Sequence, residues 1–187
     1  MTRRNASPDR RLAETALKLL AKKSWAEITL TSVAKAAKVP IAELALFAPA
    51  KPALIASVLR LLGGETTKRY KPARDSSSPR DRLFDVCMTW FDVLGSRKPA
   101  IRSLYRGLRS DPLALLSVRD ALVSAAEWLM TLAEADQGPA LRLRAITLAA
   151  ILGRAIPIWL EDDSDLTNTM ARLDGDLRRG ESVWGRL

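Results

Sequence analysis

Chemistry in this sequence is limited first by what it lacks. Histidine is absent, which removes the commonest general base and the commonest transition-metal ligand. The single cysteine, Cys87, excludes an intrachain disulfide and suits a reducing cytoplasm. It lies in an apolar helical stretch and is expected as a buried core residue rather than a reactive thiol. No GxGxxG, GxxxxGK[ST] or GxSxG pattern occurs. The one dense carboxylate group is Glu161-Asp162-Asp163 with Asp165. Carboxylates alone can run hydrolytic chemistry, but this run reads as a helix N-terminus, where negative side chains oppose the helix dipole. No nucleophile–base pair and no ligand set for a metal can be assembled. The expectation is therefore a protein that is not an enzyme and has no catalytic residue, metal or cofactor.

The chemistry that remains is that of the basic residues, and it is unevenly spread. Residues 1–71 hold 14 Lys and Arg against 5 Asp and Glu, while residues 72–187 hold 16 of each. The whole excess of +9 thus sits in the first part, which suggests that this part meets a polyanion. Apolar residues at 48% and charged residues at 27% describe a globular chain. No stretch approaches the roughly 18 uninterrupted apolar residues of a membrane span. The N-terminal MTRRNASPDRR has no apolar run behind its arginines, so no secretory signal is expected and the location expected is cytoplasmic.

The elements that must position these residues read as helices throughout. The first runs from about Pro8 to Ser24, with Ser7 as cap and Leu12, Ala16, Leu19 and Leu20 at helical spacing; Trp25 and Ile28 follow as apolar plugs. Thr29 caps a second helix that carries Val33, Ala34 and Ala37 on one face. Lys38-Val39-Pro40 forms a turn into a third helix, Ile41 to Phe47. A fourth spans about Lys51 to Tyr70 and is open to a kink or fraying at Gly63-Gly64. Two short helices joined by a tight turn and braced on both sides have helix-turn-helix geometry. Lys71 to Pro79 reads as a linker. Five more helices are predicted over about Arg80–Leu94, Pro99–Arg109, Pro112–Asp136, Pro139–Leu160 and Ser164–Arg179. The eighth is apolar on most of its circumference, so it is expected at the centre of the second module or against a partner subunit. The predicted fold class is all-α, with a helix-turn-helix module over residues 1–50, a connecting helix over 51–71 and a helical ligand-binding and dimerisation domain over 72–187.

The segment ALKLLAKKSWAEITLTSVAKAAKVP, followed by a short helix and P-x-K-x-A-L, resembles the N-terminal domain of the tetracycline-repressor (TetR) family. Ala16, Leu17, Leu20 and Trp25 match the first helix and its plug. Thr29 matches the capping Thr, and Val33, Ala34, Ala36 and Ala37 the second helix. Val39, Leu44, Pro49, Lys51, Ala53 and Leu54 continue the match, over about residues 10–60. The resemblance implies a homodimeric, omega-shaped, nine-helix transcriptional regulator, most often a repressor. Its third helix enters the major groove, and a small effector in the second half alters the spacing of the reading heads. The DNA-binding residues it implies, with the basic residues at the front of the module, are Thr29, Thr31, Lys35, Lys38, Pro40, Ile41, Ala45 and Lys51. Arg3, Arg4, Arg10 and Arg11 could add a basic arm. Two departures stand out. The family's turn Gly is Lys38 here, which must take a strained backbone or a different turn. The third helix offers no Arg, Lys, Asn or Gln for bidentate base contact. Glu43 could accept from cytosine N4 but would repel phosphate.

A second reading is also open. The chain is similar to a mitochondrial ubiquinone-biosynthesis accessory protein that shares this fold and holds lipid instead of DNA. The similarity rests on the apolar third helix, the tryptophan-rich second half and the phrases RDRLFDVCMTWFDVL and LRSDP. Leu44, Leu46 and Phe47 would then meet a membrane or partner, and the basic surface an anionic membrane; alternatively Leu44 and Phe47 are core and Leu46 is a lone exposed residue. In the second half, Trp90, Phe91, Tyr105, Trp128, Met130 and Trp159 are candidates for an effector pocket or for the core. Scarce buried charge favours a small apolar or aromatic effector. Leu152, Ile156, Leu166, Met170, Leu173 and Leu177, on the eighth and ninth helices, are the expected homodimer interface.

Overall fold

Capping chemistry decides where this chain starts its helices. The computed structural model describes residues 7–72, 78–135 and 138–184, and these form nine helices and no strand. They are α1 (Pro8–Leu20), α2 (Leu30–Ala37), α3 (Ile41–Phe47), α4 (Ala53–Arg69), α5 (Pro79–Gly95), α6 (Lys98–Arg109), α7 (Pro112–Leu132), α8 (Leu141–Glu161) and α9 (Thr167–Trp184). Ser7 Oγ accepts from Arg10 N–H, and Pro8 occupies the first turn where no N–H is needed. Ser78 and Pro79 repeat the device at α5, with Asp81 N–H donating to Ser78 Oγ at 3.1 Å. α1 stops at Leu20, short of the expected Ser24, and the chain then turns so that Trp25 and Ile28 enter the core. Residues 73–77 of the expected linker lie outside the described residues.

α2 ends because Lys38 takes the left-handed conformation, φ 54° and ψ 43°. The Val39 N–H then reaches back to Ala34 O at 3.0 Å, closing orphan carbonyls of the last turn. Of the two outcomes expected at this position, Lys38 takes the strained one, a lysine in a glycine-type conformation. Arg11 Nη1 donates to the Lys38 carbonyl at 3.4 Å and ties the turn to α1.

The residues separate into two compact units: residues 1–62 with 97–121, and residues 63–96 with 122–187. This differs from the expected boundaries at 50 and 71. α6 and the start of α7 group with the helix-turn-helix rather than with the C-terminal helices. The reason is local. A Cβ at Gly107 would stand 2.3 Å from Trp25 Cβ and 2.9 Å from its Cγ, so only a glycine lets α6 approach the turn after α1 this closely. Ser103 Oγ adds a hydrogen bond to Lys23 O at 2.8 Å.

In the second unit α8 and α9 pack lengthwise. Leu148, Ile151, Leu152, Ala155 and Trp159 of α8 are buried, as are Leu173 and Leu177 of α9. Asp176, whose side chain is 2% exposed, accepts from Arg154 Nε at 3.3 Å, from Arg172 Nε at 2.9 Å and from Arg179 Nη2. Burial pushes its carboxyl up, but the three guanidinium groups outweigh burial and hold it below the usual value. Of the two settings expected for α8, full cover is not given by the described residues: Leu143, Ile146, Ala150 and Gly153 form an exposed stripe on its other side. Among the described residues α8 is also the one helix long and apolar enough to cross a membrane by length and composition. Its Arg142 and Arg154 pair with Glu127 and Asp176. α4 runs unbroken through Gly63-Gly64, where a kink was open. Gly63 sits against Trp128, whose Cδ1 is 3.3 Å from the position of an added Cβ. Cys87 is fully buried, and burial pushes its thiol up to about 12.

The acidic run does cap a helix. Asp162 accepts from Thr169 N–H and Oγ1, each at 2.7 Å, and from Asn168 Nδ2 at 2.8 Å. Asp165 accepts from Thr167 N–H and Oγ1. Burial raises the Asp162 carboxyl, but these hydrogen bonds outweigh it and bring it to about 2.

Four substitutions test these contacts through stability. Gly107→Ala forces Trp25 and α6 apart and costs about 1–3 kcal/mol in denaturant unfolding. Gly64→Ala, which meets open space on α4, gains up to about 1 kcal/mol in the same assay. Lys38→Gly relieves the left-handed strain and stabilises by about 1 kcal/mol. The Asp162 carboxyl titrates lower when folded, about 2 against 3.8. Its contribution is therefore complete above about pH 4 and is lost as pH falls towards 2. Asp162→Asn should lower stability by about 1–2 kcal/mol at neutral pH. Chemical unfolding at a series of pH values should show that penalty shrinking near pH 2.

Candidate nucleic-acid interface

The front of α2 is built by a reciprocal cap. Ser32 N–H donates to Thr29 Oγ1 at 3.1 Å, and Thr29 N–H donates to Ser32 Oγ at 3.1 Å. Thr29 Oγ1 also lies 3.0 Å from Thr31 Oγ1. Both threonines are exposed, so two hydroxyls share one solvent-facing corner at the positive end of α2. Lys35 and Lys38 are exposed further along the same helix and its turn. Thr29, Thr31, Lys35 and Lys38 thus stand on one short segment, with donors for oxyanions.

α3 is held from beneath by Leu44 and by Ala48 just beyond its end, both buried. Its outer surface is apolar. Ile41 is 65% and Leu46 79% exposed, and Pro40, Ala42 and Ala45 are exposed with them. Glu43 and Phe47 are half-buried. Apart from the half-buried Glu43, the residues left open present methyl and methylene groups. Leu44 belongs to the core, as one of the two readings of this helix had it, but Phe47 is only half-buried and Leu46 is exposed together with Ile41.

Other basic residues are committed elsewhere. Lys51 Nζ donates to Trp25 O and lies 4.4 Å over the Trp25 ring. Burial lowers its ammonium below the usual value, with nearby Asp111 opposing that. The lysine that the resemblance assigns to phosphate is thus half-buried on the turn after α1. Arg10 pairs with Glu14 at 2.8 Å. Arg11 holds the Lys38 carbonyl. Arg3 and Arg4, the rest of the expected arm, lie outside the described residues. A clamp that sequence reading missed joins α1 to α4: Arg60 donates through Nε and Nη2 to both oxygens of Asp9, at 3.2 and 2.9 Å. The two residues are 51 positions apart, and no local pattern links them.

The residues expected around an effector do not come together as one group. Trp90, Phe91 and Trp159 form a buried cluster, with ring centroids 5.2 Å apart for Trp90–Phe91 and 6.0 Å for Phe91–Trp159. Met130 is fully buried. Trp128 is half-exposed and donates Nε1–H to Thr67 Oγ1 at 3.0 Å. Tyr105 belongs to the other unit, on α6, with Arg109 over its ring at 6.0 Å. The expected dimer residues also divide. Leu152, Leu173 and Leu177 are core residues of the second unit, while Ile156 and Leu166 are half-buried and Met170 is exposed. Among the described residues no group of three or more His, Cys, Asp or Glu is placed to hold a metal ion.

No protein-family model matches the sequence, and no curated protein is similar to it by sequence. Solved structures are. A TetR transcriptional regulator from Nitrosomonas europaea ATCC 19718 superposes with a TM-score of 0.66 at 18% identity, over 96% of this chain and 99% of that one. One from Rhodococcus sp. RHA1 gives 0.61 at 16% identity, over 98% and 100%. A TetR-family regulator from Streptomyces coelicolor gives 0.51 at 18% identity, over 94% and 81%. At these identities the likeness is one of fold, and it runs nearly end to end: this chain has the fold of the TetR transcriptional regulators.

Proposed function

We propose that this protein is a transcriptional regulator, acting as a repressor, that binds DNA through α2 and α3 as a homodimer and is released by a small apolar effector. The observation that carries the reading is the α2–turn–α3 segment. Its turn is closed by a strained left-handed Lys38, and its exposed face pairs phosphate-type donors with an open third helix. Thr29, Thr31, Lys35 and Lys38 set the register on the backbone. Ile41, Ala42, Ala45 and Leu46 have nothing to offer a base edge but apolar contact, and the group in the major groove that accepts such contact is the thymine methyl. Base reading therefore falls on thymine-containing steps. The exposed stripe on α8, with Ile156, Leu166 and Met170, supports self-association, since an uncovered apolar helix face favours burial. The absence of histidine and of any nucleophile–base set supports a binding protein in place of an enzyme.

Selection of bound DNA from a random pool at low salt, followed by fluorescence anisotropy on the enriched site, tests this reading. Affinity should fall steeply with salt, and Lys35→Ala should reduce the slope of log K against log salt by about 1. Replacing thymine by deoxyuridine in the site should weaken binding about tenfold, the order of one lost base contact. Sedimentation should show a dimer. No enrichment and no binding at low salt would remove the DNA reading. Flotation of the same sample on anionic liposomes would then favour the lipid-binding alternative.

A further inference from the structure

Within the first unit, a cleft of about 780 Å³ opens between the turn after α1 and one side of α6. That volume suits a small organic ligand. Its lining is one-sided in charge: Lys22, Lys23, Lys51, Arg102 and Arg106 line it against a single carboxylate, Asp111. Among the described residues Lys22, Lys23 and Arg106 make no side-chain hydrogen bond and no close ion pair; the Glu27 carboxylate feels Lys23 and Asp111 acts on Lys51, yet cations outnumber carboxylates along this wall. Such crowding costs Coulomb energy that a bound anion would remove. Ser24, Ser103 and Ser110 add hydroxyls, while Leu20, Ala21 and Pro99 supply apolar wall. Trp25 forms part of the lining, and its buried Nε1–H has no acceptor. A half-buried Lys51, stacked over Trp25, sits at the same end and is less screened by water than a surface lysine.

We infer that this cleft binds a small organic anion, carrying a phosphate or more than one carboxylate, between Lys22 and Lys23 of the turn and Arg102 and Arg106 of α6. The bound oxyanion takes hydrogen bonds from cations of both segments, and its organic part lies along Leu20, Ala21 and Pro99. The cleft's lining includes none of Thr29, Thr31, Lys35 and Lys38. It bridges the turn that carries Trp25 and the helix that packs on it, so an occupant would hold that junction closed.

Thermal unfolding of the whole protein with pyrophosphate or citrate, each against sodium chloride of equal ionic strength, provides the test and needs no DNA. Either anion should raise the melting temperature by about 2–4 °C, as ligands of the native state do. Response to pyrophosphate alone assigns a phosphate ligand, and response to citrate alone a polycarboxylate. Lys22→Ala/Arg106→Ala, both exposed, should fold normally and weaken the apparent affinity at least about tenfold. Lys18→Ala, an exposed lysine away from the cleft, should not. No shift beyond the salt control overturns the assignment, and so does an equal shift in the double variant. A shift lost equally in Lys18→Ala does the same, because it reports only net charge.

Discussion

The first unit depends on the seating of one indole. Trp25 is 3% exposed, yet it lies in a turn that no helix supports from within. It is covered because α6 has a glycine at the point of closest approach and because Lys51 closes over the ring. An aromatic of this size buries a large apolar area, and a cation over its face adds to that. Through it α1, α4's entry and α6 become one body with the helix-turn-helix. The boundary between the compact units follows from that contact, and not from the Pro- and Ser-rich segment before α5.

The helix-turn-helix separates the residues that make it from the residues that present it. Leu44 and Ala48 fix α3 to the core, while Ile41, Ala42, Ala45 and Leu46 are open to solvent. Fold stability is indifferent to whether those open positions are polar. That is how a chain can keep the regulator fold with a third helix whose exposed residues carry no hydrogen-bonding side chain. The same separation holds at the turn, where Lys38 takes a left-handed backbone that a glycine would take without strain. The charge surplus of the first 71 residues is partly spent inside the structure: Arg11, Lys51 and Arg60 each serve an internal contact.

The second unit rests on the α8–α9 pairing. Its apolar seam is continued by a carboxylate, Asp176, that three arginines satisfy. A buried charge left with fewer partners would be costly, so the arginines are as necessary to this packing as the leucines. The other side of α8, with Leu143, Ile146 and Ala150, is exposed.

Helix type and order were readable from sequence because periodic apolar residues, Ser-Pro and Thr caps and proline breaks act within a few residues of one another. The bounds of the third helix, Ile41–Phe47, and the capping role of the acidic run are legible in the sequence. The left-handed turn is one of the two outcomes expected where the resemblance sets Lys38 against a turn glycine. The tertiary structure alone decided which side chains are spent inside and which are offered outside: Lys51 on Trp25, Arg60 on Asp9, α6 with the first unit, and the aromatic residues of the second half as core or as surface. Those outcomes depend on contacts between residues about 25 to 80 positions apart. Such contacts are set by the space between packed helices, and no local spacing in the chain encodes that space.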